Sequence, residues 1–371
     1  MKLTILTRAF PPDVISGRET TIHNLWRQAC LRDEVTLVSG WRKSRAALPP
    51  GCWPIAQSSS SRLVNYARFF FLSAWYVRLL RPDVVLSNAI EVGPLAAPNA
   101  VIVHDFNFGL ADSVRRSNGL RRRLVGWRIG RFQAAIAVSQ ATKARILEFG
   151  MPSQKVHVIY WGVDLDRFRP AGRGDVGPST AEGTASDQRV RLVYPGRILP
   201  GKGQHIALEA LKKLSPDVLE RVCLVIVGRM DDPAYLDRLQ RLAAGLPVAF
   251  HTDVDDIAPF YRSADIVLFP TLMEEGFGLT AAEALACGKP VIFSDYPAVR
   301  EATAGIGLPV PIGNADALAE AIEALIGDPS LRETLGKRGY EHAQKCYNWA
   351  DVYERYRQVL IGLTRTRREG T

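Results

Sequence analysis

Short apolar runs alternate with helical patterns along most of the chain. In the first part these runs predict buried strands at 2–7, 35–39, 83–87, 101–104 and 134–138, and in the second part at 191–194, 222–227, 248–250, 266–269 and 291–293. Most stretches between them have the 3.6-residue spacing of amphipathic helices. Strand–helix alternation of this kind predicts parallel sheets with helices on both faces.

A polar break interrupts this alternation in the middle of the chain. Residues 171–188 are rich in Gly, Ser and Thr and contain almost no apolar side chain, which is typical of a flexible linker. The chain has 371 residues, too many for one ordinary α/β core. We therefore predict one Rossmann-like domain over 1–170 and a second over 189–349, with a C-terminal helix over about 350–371 that packs back on the first domain.

Charge is unevenly distributed between the two predicted domains. The net charge is +9; residues 1–170 hold 24 Lys and Arg against 11 Asp and Glu, or +13, and the remainder holds 23 against 27, or −4. A strongly basic half indicates a polyanionic partner, such as an anionic membrane, a phosphorylated lipid or a nucleic acid.

Cysteine usage and the N-terminal residues favour a cytoplasmic protein. The five cysteines are scattered and without CxxC spacing, so neither a disulfide framework nor a zinc site is expected. The first residues predict a strand rather than a signal peptide. The most apolar run, Phe69–Leu80, is too short to span a membrane. We expect it to form a buried core helix; the alternative is that its aromatic residues, among them Trp75 and Tyr76, contribute to a membrane-binding surface. We expect a soluble protein, or one attached peripherally to the inner face of the plasma membrane.

Two cations lie in a glycine-rich loop just after a predicted strand. Gly196-Arg197 is followed by Lys202-Gly203. Ligands of open parallel sheets bind at the carboxyl ends of strands, where two cations can neutralise a diphosphate and glycines let backbone N–H groups approach it. A solvated loop with two surface cations is the alternative, and this motif by itself leaves both interpretations open.

An acidic pair brackets the start of a predicted helix. Glu275 precedes the helix 280–286, and Glu283 lies within it. The N–H groups near Gly278–Thr280 would favour an anion at the helix N-terminus, and a carboxylate can accept hydrogen bonds from two vicinal sugar hydroxyls. The alternative is that Glu283 is a helix-surface charge and that Glu275 compensates the helix dipole. Together with the cationic loop, the motif is far more specific than either alone.

Two weaker candidates lie in the first half. The loop from Pro11 to Glu19 lacks the GxGxxG pattern, so dinucleotide binding there is not expected. Ser16 is a candidate helix N-cap, and Gly17 would let a ligand come close. His104-Asp105 follows a strand, where a histidine can donate to a substrate hydroxyl. The alternative is a histidine satisfied by local backbone, because a lone histidine is a weak signal.

These motifs resemble the family-4 group of retaining glycosyltransferases, which have the GT-B fold of two Rossmann-like domains facing across a cleft. The resemblance covers nearly the whole chain and is strongest from Val156 to Ser294. It is carried by VIYWGVDLDRFRP (158–170), YPGRILPGKGQHIALEAL (194–211), LVIVGRM (224–230), ADIVLFPTLMEEGFGLTAAEALACGKPVIFSD (264–295) and YNWADVYERY (347–356).

The resemblance implies a role for each motif residue. Arg197 and Lys202 would hold the diphosphate of the donor. Of the family's E-x7-E pair, Glu275 would lie by the transferred sugar and Glu283 would hold the ribose. The family's histidine beside the donor sugar maps onto His104. The other implied donor-binding positions are Gly17, Gly196, Val254 in the base pocket, the amides of Phe277, Gly278 and Leu279, and Thr280.

The chain departs from the family pattern in its first half. The usual Gly-Gly of the N-terminal loop is Ser16-Gly17 here, followed by Arg18. Arg18, together with Asp105, becomes a candidate contact for an anionic acceptor. The residue before Gly-Val-Asp, usually Asn, is Trp161.

The reaction that the resemblance implies is transfer of a hexose-type sugar from a UDP- or GDP-sugar to a hydroxyl, with retention at the anomeric carbon. Arg197, Lys202 and the helix start would stabilise the charge that grows on the leaving phosphate, so neither a metal nor another cofactor is expected. The acidic runs Asp231-Asp232 and Asp253–Asp256 are expected to be loop and helix-capping carboxylates rather than metal ligands.

The basic half contains a candidate membrane surface. Residues 115–132 place seven arginines among apolar residues that include Trp127, the pattern of an interfacial helix. In GT-B enzymes the N-terminal half takes the acceptor. We therefore expect a glycan or a polyprenyl- or other lipid-linked acceptor at the cytoplasmic membrane face, in cell-envelope polysaccharide or glycolipid synthesis.

Three alternatives stay open at the level of sequence. A sugar-nucleotide epimerase or phosphorylase could use the same fold. A non-catalytic nucleotide-sugar-binding subunit could use the same donor site, although the cations and the acidic pair are intact. A nucleic-acid-binding protein could use the arginine run, but no recognisable motif supports it and the acidic second half does not suit it, so nucleic acid is not expected as a partner.

Overall fold

Two parallel sheets organise the chain. The computed structural model describes residues 1–10, 17–42, 51–57, 61–104, 119–172 and 189–369. These residues fall into two units, Met1–Gly162 with Trp349–Thr371, and Val163–Asn348. Within the described ranges the first unit holds a seven-stranded sheet and the second a six-stranded sheet, and every strand pair is parallel. The predicted α/β class with two Rossmann-like sheets is confirmed.

The first unit follows the predicted alternation closely. Its strands are β1 (Lys2–Thr7), β2 (Glu34–Arg42), β3 (Cys52–Gln57), β4 (Val84–Ser87), β5 (Asn99–Val103), β6 (Ala134–Ala137) and β7 (Val156–Val158). The helices between them are α1 (Gly17–Cys30), α2 (Arg62–Leu80), α3 (Gly119–Gly130) and α4 (Gln140–Glu148).

The sheet of the first unit has the order β3-β2-β1-β4-β5-β6-β7. The chain therefore reverses direction across the sheet between β1 and β4, the kind of switch point where α/β sheets bind ligands. One face of the sheet forms a continuous apolar core with α2, α3 and α4. Buried residues of this core include Phe69, Val77, Val125, Ile129 and Ile146.

The second unit repeats the architecture. Its strands are β8 (Val190–Pro195), β9 (Val222–Gly228), β10 (Val248–Thr252), β11 (Ile266–Phe269), β12 (Val291–Ser294) and β13 (Leu308–Val310). Its helices are α5 (Gln204–Leu211), α6 (Pro216–Leu219), α7 (Pro233–Leu242), α8 (Ala258–Ser263), α9 (Leu279–Ala286), α10 (Pro297–Thr303), α11 (Ala315–Gly327) and α12 (Pro329–Cys346). A last helix, α13 (Trp349–Glu369), belongs to the first unit.

The order of the second sheet is β10-β9-β8-β11-β12-β13, the doubly wound arrangement. Its switch point lies between β8 and β11, which pair with Val193 opposite Val267. The loops that follow these two strands therefore leave the same edge of the sheet side by side. Both sequence motifs lie in these loops.

Several boundaries differ from the sequence prediction. The segment 163–170 lies with the second unit, because Val163 donates its backbone N–H to Tyr347 (2.8 Å) and Arg167 pairs with Asp256 (2.6 Å). The C-terminal helix that was predicted from about 350 begins at Trp349, as α13, and residues 347–348 separate it from α12. Most of the predicted linker, 173–188, lies outside the described residues.

The run Phe69–Leu80 forms part of α2, and its orientation differs from the expected buried core helix. Phe69 and Val77 are buried, but Phe71, Trp75 and Leu79 are exposed. Within the described part of the chain, no helix is long and apolar enough to cross a membrane.

A buried carboxylate ties α13 to the first sheet. The side chain of Asp33, which precedes β2, has no exposed surface and accepts hydrogen bonds from the hydroxyl of Tyr353 (2.7 Å), the Nε of Arg357 (3.0 Å) and the amino group of Met1 (2.8 Å). Burial by itself would raise the pKa of Asp33, but these three donors outweigh it and lower the pKa below its ordinary value. The ion pair therefore stabilises the fold above the ordinary carboxyl pKa and is lost as the pH falls below it.

We expect Asp33→Ala to lower the free energy of unfolding by about 2 kcal/mol at neutral pH, because three donors lose one shared acceptor. Urea denaturation followed by tryptophan fluorescence measures the change. Glu34→Ala, at the exposed neighbouring position, is the matched control and should change the stability little. Equal stability of the two variants would contradict the anchoring role of Asp33.

Candidate functional site

Two loops meet at the switch point of the second sheet. After β8, the chain passes through Gly196 and a short 3₁₀ turn, Pro200–Lys202, to reach α5. Gly203, at the start of α5, has a left-handed backbone (φ 78°), and a side chain on it would collide with the carbonyl of Pro270, which follows β11. Glycine at this position therefore lets the two loops pack directly against each other.

Lys202 and Glu275 form an ion pair between these loops. The Nζ of Lys202 lies 2.5 Å from an Oε of Glu275, and both side chains are largely buried. Thr271 donates to the same Glu275 oxygen (3.3 Å), and the ammonium lies 5.7 Å from the ring centre of Phe269. The two residues that the sequence placed on separate motifs are thus brought together at one end of the sheet.

Arg197 is held by a different partner. Its guanidinium lies 3.0 Å from Asp231, at the end of the neighbouring β9, and remains half exposed. Asp231 also accepts from Arg229 (2.6 Å). The hydrogen bond from Arg229, with further help from Arg197, lowers the pKa of Asp231. The side chain of Arg197 therefore lies at the border of the site. Its backbone is held in place because the side-chain amide of buried Gln204 donates to the Arg197 carbonyl (2.8 Å).

Two glycines shape the strand ends at this edge. Gly196 has φ 149°, and no described atom lies within 4 Å of where a side chain would project, so the space above its backbone is open. Gly228, the last residue of β9, has φ 152°, and a side chain there would collide with the carbonyl of Gly196. A ligand can approach the Gly196 backbone closely because these two positions carry no side chain.

The start of α9 completes the edge. Gly278 is the N-cap residue, with a left-handed backbone (φ 99°) and no side chain capping the helix. The first-turn N–H groups from Leu279 onward, with the helix dipole, favour an anion there. The ring of Phe277 is buried against Tyr347 (5.7 Å between centres), so only the Phe277 backbone can face a ligand.

Glu283 lies one turn into α9, as predicted, and its carboxylate is enclosed. It accepts a hydrogen bond from the hydroxyl of Tyr261 on α8 (2.7 Å). Burial raises the pKa of Glu283 to about 7, although the Tyr261 hydroxyl and the charge of Arg167 oppose the increase. The carboxyl group therefore changes its charge near neutral pH. A helix-surface carboxylate would not.

Val254 is held in place by a turn at the end of β10. The preceding Asp253 has a left-handed backbone (φ 54°), uncommon for a residue with a side chain, and accepts from the Met230 N–H (3.2 Å). The base pocket that Val254 is predicted to line would lie here.

The acidic runs act as loop and cap carboxylates. Asp232 caps α7 by accepting from the Tyr235 N–H (3.0 Å). Asp256 accepts from the Ala258 N–H (3.0 Å) in addition to its pair with Arg167. The predicted capping role is confirmed for Asp232, whereas Asp231 of the same run pairs with Arg197 and Arg229.

His104 lies in the first unit, directly after β5. Its Nε2 is hydrogen bonded to the Asn88 side chain, which follows β4, and its ring centre lies 5.2 Å from that of Trp161. Burial, with the charges of Arg18 and Arg8, holds the pKa of His104 well below its ordinary value. The ring is therefore neutral at neutral pH, and since Asn88 Oδ1 accepts from Nε2, its Nδ1 is an acceptor.

Other predicted residues of the first unit are partly described. Gly17 begins α1, and its carbonyl accepts from the Thr21 hydroxyl (2.7 Å). Arg18 lies close enough to His104 to lower its pKa. Ser16 and Asp105 lie outside the described residues.

Three residues of these sites are not singled out by the sequence. Tyr261, Thr271 and Asn88 each bind a predicted residue through a side chain. Thr271 and Asn88 could have been found, because they too follow predicted strands at the carboxyl edge. Tyr261 gives no local signal. Asp231 was predicted as a loop carboxylate, but its pairing with Arg197 was not.

Comparisons with known proteins agree with this architecture. Residues 15–167 match the family model described as Glycosyltransferase Family 4, and residues 179–342 match that described as glycosyl transferases group 1. A D-inositol 3-phosphate glycosyltransferase of Streptomyces bingchenggensis is 34% identical over 233 residues, 56% of this chain and 49% of the relative. The chain spans about half the length of the D-inositol 3-phosphate glycosyltransferases that it matches first.

Two further similarities extend over the whole chain. The alpha-maltose-1-phosphate synthase of Mycobacterium tuberculosis is 25% identical and matches 97% of this chain and all of the relative. The crystal structure of Anabaena HepE in complex with UDP-glucose superposes with a TM-score of 0.74 at 19% identity, covering 98% of this chain and all of HepE. The fold is shared with HepE.

Proposed function

Since this chain belongs to the family-4 glycosyltransferases, we propose that it transfers a hexose-type sugar from a UDP- or GDP-sugar to an acceptor hydroxyl, with retention at the anomeric carbon and without a metal. The donor would bind at the carboxyl edge of the second sheet. The acceptor would be a glycan or a lipid-linked sugar.

One observation carries the proposal. The Lys202–Glu275 ion pair joins the two loops of the switch point, at the sheet edge that also carries the open Gly196 backbone and leads into the uncapped start of α9 at Gly278. A cation, a free helix start and an unobstructed glycine backbone together form a site for a diphosphate. The adjacent Glu275 carboxylate can accept from hydroxyls of a sugar attached to that diphosphate.

The chemistry follows from where charge develops. When the bond to the anomeric carbon breaks, the leaving nucleoside diphosphate gains negative charge on its β-phosphate. Lys202, the α9 N–H groups and Arg197 would stabilise that charge from fixed positions, and such preorganised donors are usually the largest electrostatic contribution to catalysis. Arg197 would then divide its guanidinium between Asp231 and the phosphate.

The remaining predicted residues would orient the donor. Glu283, enclosed and bound to Tyr261, would accept hydrogen bonds from the ribose hydroxyls, and Val254 would contact the base. His104, neutral and oriented by Asn88, would accept from a hydroxyl of the transferred sugar. Arg18, near His104, would contact an anionic group of the acceptor.

The relatives support this donor and acceptor class. HepE binds UDP-glucose with the same fold, and the Streptomyces bingchenggensis relative is named for a phosphorylated acceptor. A cytoplasmic acceptor that is phosphorylated, free or linked to a lipid such as a polyprenol, suits the charge of +13 in residues 1–170.

Calorimetric titration with UDP, GDP and ADP tests the donor site. We expect one nucleoside diphosphate to bind in the micromolar range, and weaker binding of the other two. The nucleotide sugars of the base that binds would then be screened for slow donor hydrolysis, with the released anomer identified by NMR. Release of the retained anomer supports a retaining transferase, and an epimerised but intact nucleotide sugar would overturn it. No binding of any diphosphate contradicts the donor site itself.

A further inference from the structure

Exposed apolar side chains are concentrated on one layer of the first unit. Among the described residues, twelve large hydrophobic side chains are exposed, and nine of them lie on α2, α3 and the adjoining strand β3. These nine are Trp53, Leu63, Val64, Tyr66, Phe71, Trp75, Leu79, Leu124 and Trp127. Single exposed hydrophobic residues are ordinary, whereas a cluster marks an interaction surface.

The helix α2 lacks the usual division into an apolar inner face and a polar outer face. Its most buried stripe is Asn65, Phe69, Ser73 and Val77, and two of these four are polar. Its outward stripe includes Phe71, Trp75 and Leu79, which are 70%, 54% and 56% exposed. A helix that packed only against its own sheet would place such residues inward, so this outer face indicates a second apolar environment.

A packing reason explains the small residues on the inner side. Gly93 packs so closely on α2 that a side chain there would collide with the carbonyl of Phe70, and Ser73 donates to that carbonyl (3.1 Å). Small polar residues therefore fit on the inner stripe without a loss of packing. The outer stripe has no such local explanation for its aromatic rings.

The exposed rings form a continuous surface. Trp53 contacts Tyr76 (6.3 Å between ring centres), which contacts Trp75 (5.0 Å). Arg131, just after α3, lies over Phe70 of α2 (5.9 Å) and over Trp127 of α3 (5.0 Å). The guanidinium thus links α2 to α3, so their outer faces belong to one patch.

Positive charge surrounds this patch. Arg68 and Arg78 lie on the exposed side of α2, and residues 61–81 and 119–133 contain arginines but neither Asp nor Glu. Near the end of α3, a cavity of about 210 Å³ is lined by Arg128, Arg131 and buried Asn99 among apolar residues. Aromatic and aliphatic side chains within a field of guanidinium groups match the interface of an anionic bilayer, where rings enter the headgroup region and cations meet phosphates.

We propose that this α2–α3 face docks on an anionic phospholipid bilayer, with Phe71, Trp75 and Trp127 entering the interface. This inference rests on the proposed function and deepens it, because it identifies the surface that would contact the membrane in which a lipid-linked acceptor lies. The membrane surface predicted from the sequence was the segment 115–132, of which 115–118 lie outside the described residues. The proposed surface adds α2, which supplies more of the exposed apolar side chains than α3 does. A second copy of the same face is a poor partner, because like charges would meet across a two-fold axis.

Vesicle flotation tests the proposal on the whole chain. The probes are vesicles of phosphatidylcholine alone and of equal parts phosphatidylcholine and phosphatidylglycerol. We expect binding to the anionic vesicles only, falling with added salt, and a shift of tryptophan fluorescence to shorter wavelength on binding. The variant Phe71→Ser with Trp75→Ser should bind roughly tenfold more weakly. Arg68→Gln with Arg78→Gln should bind roughly tenfold more weakly at low salt.

A matched control removes two exposed hydrophobic residues elsewhere. Leu31→Ser with Ile312→Ser, 74% and 47% exposed and outside the patch, should leave vesicle binding unchanged. All variants should retain nucleotide binding, which separates this proposal from the donor site. Absence of anionic-vesicle binding by the unmodified chain, or equal binding by the Phe71/Trp75 variant, would overturn it. So would a dimer, seen by sedimentation, that only the Phe71/Trp75 variant loses.

Discussion

Replacing Lys202 with methionine should lower kcat/KM for the donor by about 10²- to 10³-fold, the cost of removing one preorganised donor to a developing oxyanion. The substitution keeps the length of the side chain and removes the ammonium that lies 2.5 Å from Glu275. Steady-state kinetics of donor hydrolysis or transfer measures the effect. Lys213→Met is a close control, because Lys213 pairs with Asp316 at the same 2.5 Å on the surface.

A double variant separates two roles of Lys202. If the ammonium served only to neutralise Glu275, Lys202→Met with Glu275→Gln would be as active as Glu275→Gln alone. If it stabilises the leaving phosphate, as we propose, the double variant should be clearly less active than Glu275→Gln alone. A Lys202→Met enzyme within about threefold of the unmodified chain would contradict a catalytic role.

Glu283→Gln should make the protein more stable and the donor site weaker. The folded-state pKa of Glu283 is about 7, above its ordinary value of 4.5, so the folded chain holds this proton more tightly than the unfolded chain. Stability is therefore lost as the pH rises from about 4.5 to 7, where the buried carboxyl group must ionise. At pH 8 the glutamine variant should be more stable by on the order of 2 kcal/mol, and near pH 4 it should match the unmodified chain.

The same substitution should weaken nucleoside diphosphate binding by about tenfold at pH 8, because an amide has one acceptor atom where the carboxylate has two. Urea denaturation and calorimetry at several pH values measure the two effects. Tyr261→Phe should move the pH transition upward, since the Tyr261 hydroxyl favours the charged form of Glu283. Glu320→Gln, on an exposed face of α11, is the control. A pH-independent stability difference for Glu283→Gln would refute the buried titration.

The strands could be predicted because each central one is a short run of apolar residues with no competing pattern. The run Val222–Val227 is an example, and it forms most of fully buried β9. The edge strand β3 was missed, since Cys52–Gln57 contains Pro54, which is unusual inside a strand, and shows no alternation of apolar and polar residues.

The residues of the candidate donor site could be predicted where their positions depend only on which strand they follow. Lys202 and Glu275 follow two strands that proved to be neighbours at the switch point, so their contact follows from the strand order. The partner of Arg197 was not predictable, because Asp231 reaches it only through the pairing of β8 with β9. The outward orientation of Trp75 could not be predicted either, since α2 carries apolar residues on every side and periodicity alone does not choose a buried face.

The most direct test of the account compares a nucleoside diphosphate with its monophosphate by calorimetry, in the unmodified chain and in Lys202→Met. We expect the diphosphate to bind at least about 30-fold more tightly than the monophosphate in the unmodified chain, because the second phosphate meets the ammonium and the α9 start. In Lys202→Met that ratio should fall by about tenfold. A ratio that is the same in both proteins, or no preference for the diphosphate at all, would show that the switch-point loops do not hold the phosphate.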